Sequence, residues 1–72
     1  MHYTDKLKIL RQEKQMTQAQ VAEYLNTDRA NYNDYERGKH AIPFDRLCDL
    51  ADLYGVSLDW IAGRTTKREI NY

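Results

Sequence analysis

Positions 17–38, TQAQVAEYLNTDRANYNDYERG, carry the side chains whose types and spacing point to chemistry. Two helices of about eight residues, joined by three or four, meet the length rule for a helix-turn-helix. At about 100° per residue, Tyr32 and Tyr35 share one face of the second of these helices. Arg29, Ala30, Asn33 and Asp34 lie on the opposite face. That outward face is polar, narrow and asymmetric, on a helix short enough to sit in the major groove of duplex DNA. The chemistry is recognition, not bond making. The chain has no Ser-His-Asp pattern, no paired catalytic carboxylates and no phosphate-cradling Gly loop, so an enzyme is not expected. His2 and His40 lack ligand partners at metal-binding spacing, and the one Cys, Cys48, reads as a small apolar residue. No metal and no cofactor are expected.

The apolar spacing around this pair is helical throughout and predicts an all-α domain of five short helices. Leu7 and Leu10 mark a first helix over about 5–14, with Thr4 as its cap. Thr17 opens a second helix, 18–25, and Gln20 three residues on completes a capping box. Val21, Ala22 and Leu25 form its buried stripe. Asp28 caps a third helix, 29–36, which Gly38 stops in the left-handed region. Pro43 suits the first position of a fourth helix, 43–54, whose apolar face is Phe44, Leu47, Leu50, Ala51 and Tyr54. Ser57 caps a fifth, 58–62, closed by Gly63. Residues 1–63 form the domain, and the basic polar tail 64–72 is expected to be mobile.

The chain has 72 residues, 42% hydrophobic and 31% charged, which fits a single folded domain. So short a chain buries only about 60% of its unfolded surface, so modest stability is expected without dimerisation. A lone Cys cannot build a disulfide framework. No apolar run approaches the roughly 18 residues that span a bilayer, and the polar amino end does not read as a signal peptide. A cytoplasmic location is expected. Eleven basic and eleven acidic residues balance, but unevenly along the chain. Residues 1–16 carry four basic and two acidic groups, and 17–40 carry three and four. Residues 41–63 set Arg46 alone against Asp45, Asp49, Asp52 and Asp59, and 64–72 return to three against one.

Leu10-Arg11, Thr17-Gln18, Val21-Ala22, Leu25, Glu36-x-Gly38, Leu50-Ala51, Gly55-Val56-Ser57-Leu58-Asp59 and Gly63 occur in that order, with intact spacing. The ordered set resembles the Cro and lambda-repressor family of helix-turn-helix regulators over about residues 5–63. The resemblance implies a compact five-helix DNA-binding domain acting as a small transcriptional repressor, bound as a two-fold dimer to a partly palindromic operator. Thr17 and Gln18 would lie against a phosphate at the amino end of the second helix. Arg29, Ala30, Asn33 and Asp34 would face the bases, where Arg29 can pair with guanine O6 and N7 and Asn33 can read adenine. Arg37, Lys39 and His40 would follow along the backbone. Arg11 and Glu36, 25 positions apart, match a structural ion pair linking the first and third helices.

Some positions depart from the family pattern. Asn26 replaces the usual Gly and must take a left-handed turn. Tyr32 and Tyr35 replace Ile and Leu, so their hydroxyls need partners. Asp28 and Asp34 put negative charge at the groove-facing surface, which implies weak monomer affinity raised by dimerisation or by the basic ends. Leu53 and Trp60 are expected to form an exposed dimer patch. A second reading is a protein-interaction module, antirepressor- or antitoxin-like, that keeps the fold and docks a partner through the acidic segment 41–63. A third is a DNA-binding unit completed by another chain, with 64–72 as an arm ordered in the complex.

Overall fold

A computed structural model describes residues 1–70. Five helices follow one another: α1 (Tyr3–Glu13), α2 (Gln18–Tyr24), α3 (Arg29–Glu36), α4 (Phe44–Tyr54) and α5 (Leu58–Ala62). No strand occurs among the described residues. The all-α expectation holds.

Local hydrogen bonding explains where most helices begin. Thr17 Oγ1 accepts from the Gln20 N–H at 3.1 Å, and Gln20 Oε1 accepts from the Thr17 N–H at 2.8 Å, a complete capping box. Asp28 Oδ1 accepts from the Asn31 N–H at 2.7 Å, and Ser57 Oγ from the Trp60 N–H at 3.4 Å. The first helix departs from expectation. It starts at Tyr3, two residues early, because His2 takes the cap and Thr4 turns inward. The Thr4 hydroxyl and N–H both approach His2 Nδ1, at 2.8 and 3.3 Å. Pro43 also stands one place earlier than expected, as the residue before α4.

The turns carry the backbone strain. Asn26 has φ +59°, the left-handed conformation expected of a non-glycine in the α2–α3 turn. Gln15 takes φ +57° after α1, which no composition cue announced.

Leu7, Leu10, Val21, Tyr32, Leu50 and Ile61 make the centre of the core, where α3 packs on α2 and α1 while α5 packs on α1 and α4. Ala22 is 2% exposed, small enough to let α2 and α3 approach. Ile42 and Val56, both outside helices, add core contacts from the loops. Phe44 corrects the expected stripe of α4, being 70% exposed. Side chains tilt toward a helix's amino end, so the first residue of α4 projects past the layer that Leu50 and Ala51 bury.

The segment after Gly63 folds back over the body through residue 70. The Ser57 N–H donates to the Arg68 carbonyl at 2.7 Å, and Arg68 Nη2 reaches Glu13 Oε1 at 2.9 Å. The Arg68 guanidinium lies 4.6 Å from the centroid of the Trp60 ring, and Lys6 Nζ lies 4.8 Å from it. Lys6 also donates to the Trp60 carbonyl near the end of α5. These contacts correct the expectation of an exposed Leu53–Trp60 patch. Both residues are partly buried and packed against the core, and Trp60 is flanked by two cations. Residues 71–72 of the expected tail lie outside the described residues.

Candidate nucleic-acid interface

The exposed arc of α3 is built by its buried one. Tyr32 is fully buried and Tyr35 is 4% exposed, their rings edge to face with centroids 6.4 Å apart. Seating these two rings turns Arg29, Ala30 and Arg37 into solvent and leaves Asn33 and Asp34 half-buried. These residues therefore share the outward side of one short helix.

Gln18 joins this face to α2. Asn33 Nδ2 donates to Gln18 Oε1 at 3.0 Å, and Gln18 Nε2 donates to Glu36 Oε1 at 3.3 Å. Glu36 in turn accepts from Arg11, Nε to Oε2 at 2.7 Å and Nη2 to Oε1 at 3.2 Å. Arg11 Nη1 donates to the Met16 carbonyl at 3.0 Å, just before Thr17. One chain of hydrogen bonds thus runs from α1 through α2 to the outward face of α3. Neither amide's link was read from the sequence; only the Arg11–Glu36 pair was.

Burial of Glu36 favours its neutral acid, but the Arg11 hydrogen bonds, the neighbouring Tyr32 hydroxyl and the Gln18 amide outweigh it. The carboxyl is held below its ordinary range. Burial first, then Glu36, pushes the Tyr32 phenol up, and burial pushes Tyr54 up to about 12. The Tyr32 and Tyr54 hydroxyls are buried with no partner in good hydrogen-bond geometry, although Tyr32 lies close enough to favour the charged form of Glu36.

The carboxyl end of α3 shapes the next segment. The N–H groups of Lys39 and His40 both point at the Asp34 carbonyl, at 2.9 and 3.4 Å, because Gly38 turns the chain at φ +74°. The His40 ring Nε2 lies 3.7 Å from Asp34 Oδ2. Arg37, Lys39 and His40 are exposed beyond this turn, as is Thr17 at the start of α2.

The fold also redistributes the charge of segment 17–40. Arg11 arrives from α1 to neutralise Glu36, and Asp28 is engaged as a cap. Among the described residues, Arg29, Arg37 and Lys39 have no carboxylate oxygen within 4.0 Å. The surface is less acidic than its sequence segment.

A second polar group flanks α3 and was not singled out from the sequence. Thr27 Oγ1 accepts from Asn31 Nδ2 at 2.9 Å, and the Tyr35 hydroxyl accepts from Asn31 Nδ2 at 3.0 Å and from Arg46 Nη1 at 2.8 Å. The available signal was the need of the Tyr35 hydroxyl for a partner.

A family model described as helix-turn-helix matches residues 7–61, which takes in all of α2 to α4 and the Arg11–Glu36 pair. The chain belongs to this helix-turn-helix family. It is the Cro and lambda-repressor-like group, a DNA-binding and non-enzymatic family of transcription regulators. An uncharacterised HTH-type transcriptional regulator, YobD, of Bacillus subtilis (strain 168) is 38% identical over 63 residues. The aligned part is 88% of this chain and 56% of YobD. The HTH-type transcriptional regulator ImmR of the same organism is 39% identical over 59 residues, 82% of this chain and 46% of ImmR. The chain spans about half the length of these curated relatives.

Within the helix-turn-helix frame, Thr17, Gln18, Arg29, Ala30, Asn33, Asp34, Arg37, Lys39 and His40 come from the start of α2 with its Thr17 cap, from α3 and from the turn after α3. Among the described residues no group of three or more His, Cys, Asp or Glu is placed to hold a metal ion, and no helix is long and apolar enough to cross a membrane.

Proposed function

We propose that this chain binds a specific duplex DNA site through α3 in the major groove and acts as a repressor on a two-fold operator. The observation that carries the reading is the Asn33–Gln18 hydrogen bond. It holds a side chain on the expected base-facing helix against one expected to meet phosphate, so register on the backbone and reading of the bases are set together. Arg29 reads guanine, Asn33 reads adenine, and Asp34 excludes sequences that would bring an acceptor to it. Arg37, Lys39 and His40 hold the backbone beyond α3. Two protomers bind half-sites about 10 base pairs apart. Occupying a promoter is the simplest way for such a domain to repress.

The test is selection from random duplex DNA at about 50 and 200 mM salt, a range in which phosphate contacts lose much of their strength. Arg29→Ala is the control. A salt-sensitive two-fold motif, altered in the variant, supports the regulator. No enrichment from folded protein refutes it.

The interaction-module reading draws on one observation, the 70% exposure of Phe44 at the head of an α4 whose Asp45, Asp49 and Asp52 are also exposed. A partner docked on Phe44 through apolar contact would bind with little salt dependence, unlike duplex DNA.

A further inference from the structure

Packing alone does not call for a hydroxyl on Tyr35, whose residue is 4% exposed. That hydroxyl accepts from Asn31 Nδ2 at 3.0 Å and from Arg46 Nη1 at 2.8 Å. A phenol hydroxyl can accept as well as donate. Here it is the acceptor that holds the Asn31 amide and the Arg46 guanidinium together against α3.

Asn31 and Tyr35, with Thr27 from the turn before the helix, are spaced by four along one side of α3, while Asn33 and Glu36 with Gln18 occupy the other. Ala30 and Asp34 lie between these two sides. Arg46, in the first turn of α4, is thereby fixed against the flank of α3 by one nitrogen. Its Nε and Nη2 make no hydrogen bond among the described residues, and no carboxylate oxygen lies within 4.0 Å. It is a half-buried guanidinium, positioned and unpaired, in an otherwise acidic segment. A helix seated in a major groove has a phosphate wall on each side, and a guanidinium with a free edge matches phosphate oxygens in a bidentate fork.

We propose that Arg46, held in place by Tyr35 and Asn31, contacts a phosphate on the strand opposite the one met by Thr17 and Gln18. The inference rests on the DNA-binding reading and names a contact that reading does not include. It also adds a cation to Arg29, Arg37 and Lys39.

The experiment is fluorescence anisotropy with a duplex recovered by wild-type selection and with a mixed-sequence duplex, each titrated at several salt concentrations. Wild type, Arg46→Gln, Arg46→Lys and Tyr35→Phe are compared, with thermal melts to show that each is folded. Arg46→Gln is expected to weaken both duplexes alike and to make the slope of log affinity against log salt shallower by about 0.9 per bound protomer. Arg46→Lys keeps the slope. Tyr35→Phe keeps the slope with several-fold weaker binding. Folded Arg46→Gln with the wild-type slope overturns the proposal. If Arg46→Gln does not fold, Tyr35→Phe decides, and unchanged affinity at every salt overturns the proposal. Wild type that binds neither duplex overturns this proposal and the DNA-binding reading together, whereas wild-type binding with unaltered variants overturns this one alone.

Discussion

Arg11 and Glu36 meet through two hydrogen bonds across 25 positions of sequence, with the Glu36 side chain only 3% exposed. The pair fastens α1 directly to the last turn of α3, so the angle of α3 depends on a residue in the first helix.

Removing one partner strands a buried charge. Glu36→Leu or Arg11→Met alone should cost about 3–5 kcal/mol, whereas the double variant should recover most of that loss. Urea unfolding of the two single variants and the double measures it. Equal losses in all three would show that the buried charge is not the cause.

The same carboxyl sets the acid limit of the fold. Its folded pKa is depressed, so its stabilisation is complete above the unfolded value near 4.3 and is lost as pH falls through the lower folded value. Wild-type stability should therefore decline below about pH 4.3, and Glu36→Gln should flatten that decline while starting less stable. Melting temperatures between pH 3 and pH 7 test this.

Asp28 combines two effects that one substitution separates. Asn caps a helix about as well as Asp, so Asp28→Asn should change stability by less than about 0.5 kcal/mol. Removing a negative charge beside the outward face of α3 should meanwhile tighten duplex binding, most at low salt. Thermal melts and anisotropy on the same sample report the two effects.

Tyr54 carries a buried hydroxyl without a partner. Tyr54→Phe should leave stability at pH 7 unchanged or raise it by up to about 1 kcal/mol. The phenol is raised to about 12, so its contribution is intact below pH 10 and lost as pH climbs toward 12. The variant should resist alkaline unfolding better than wild type, which circular dichroism across that range would record.

The folded-back tail also makes a prediction. Arg68→Ala removes the guanidinium beside Trp60 and its ion pair with Glu13. Both are partly solvent-exposed, so the stability loss should stay near 1 kcal/mol or less. Trp60 fluorescence should nevertheless become more accessible to iodide quenching. An unchanged quenching constant would show that Arg68 does not cover the ring.

Much of this architecture was legible in the sequence because it is written locally. Thr17 with Gln20, Asp28, Gly38 and Ser57 each set a helix end through neighbours within a few positions, and the four were read correctly. The outward face of α3 was legible because the helical period separates Tyr32 and Tyr35 from Arg29, Ala30 and Asn33. What escaped depends on encounters between distant segments. Nothing in the composition of 64–72 shows that Arg68 meets Glu13 and Trp60, and nothing near Tyr35 shows that Arg46 will reach its hydroxyl. Phe44 was misplaced for a local reason, since its hydrophobicity fitted the α4 stripe but its position at the helix start points it outward.

Lys6 contacts Trp60 across 54 positions, and Arg68 contacts Glu13 across 55, so residues near the two ends of the described chain close a loop around the middle. By contrast, α2 and α3 assemble from neighbouring sequence. Chain-closure entropy delays the distant contacts, so the helix-turn-helix pair should condense early in folding and the loop should close last. In amide exchange, backbone protons of α5 and the 64–70 strap should therefore exchange through openings that leave α2 and α3 protected.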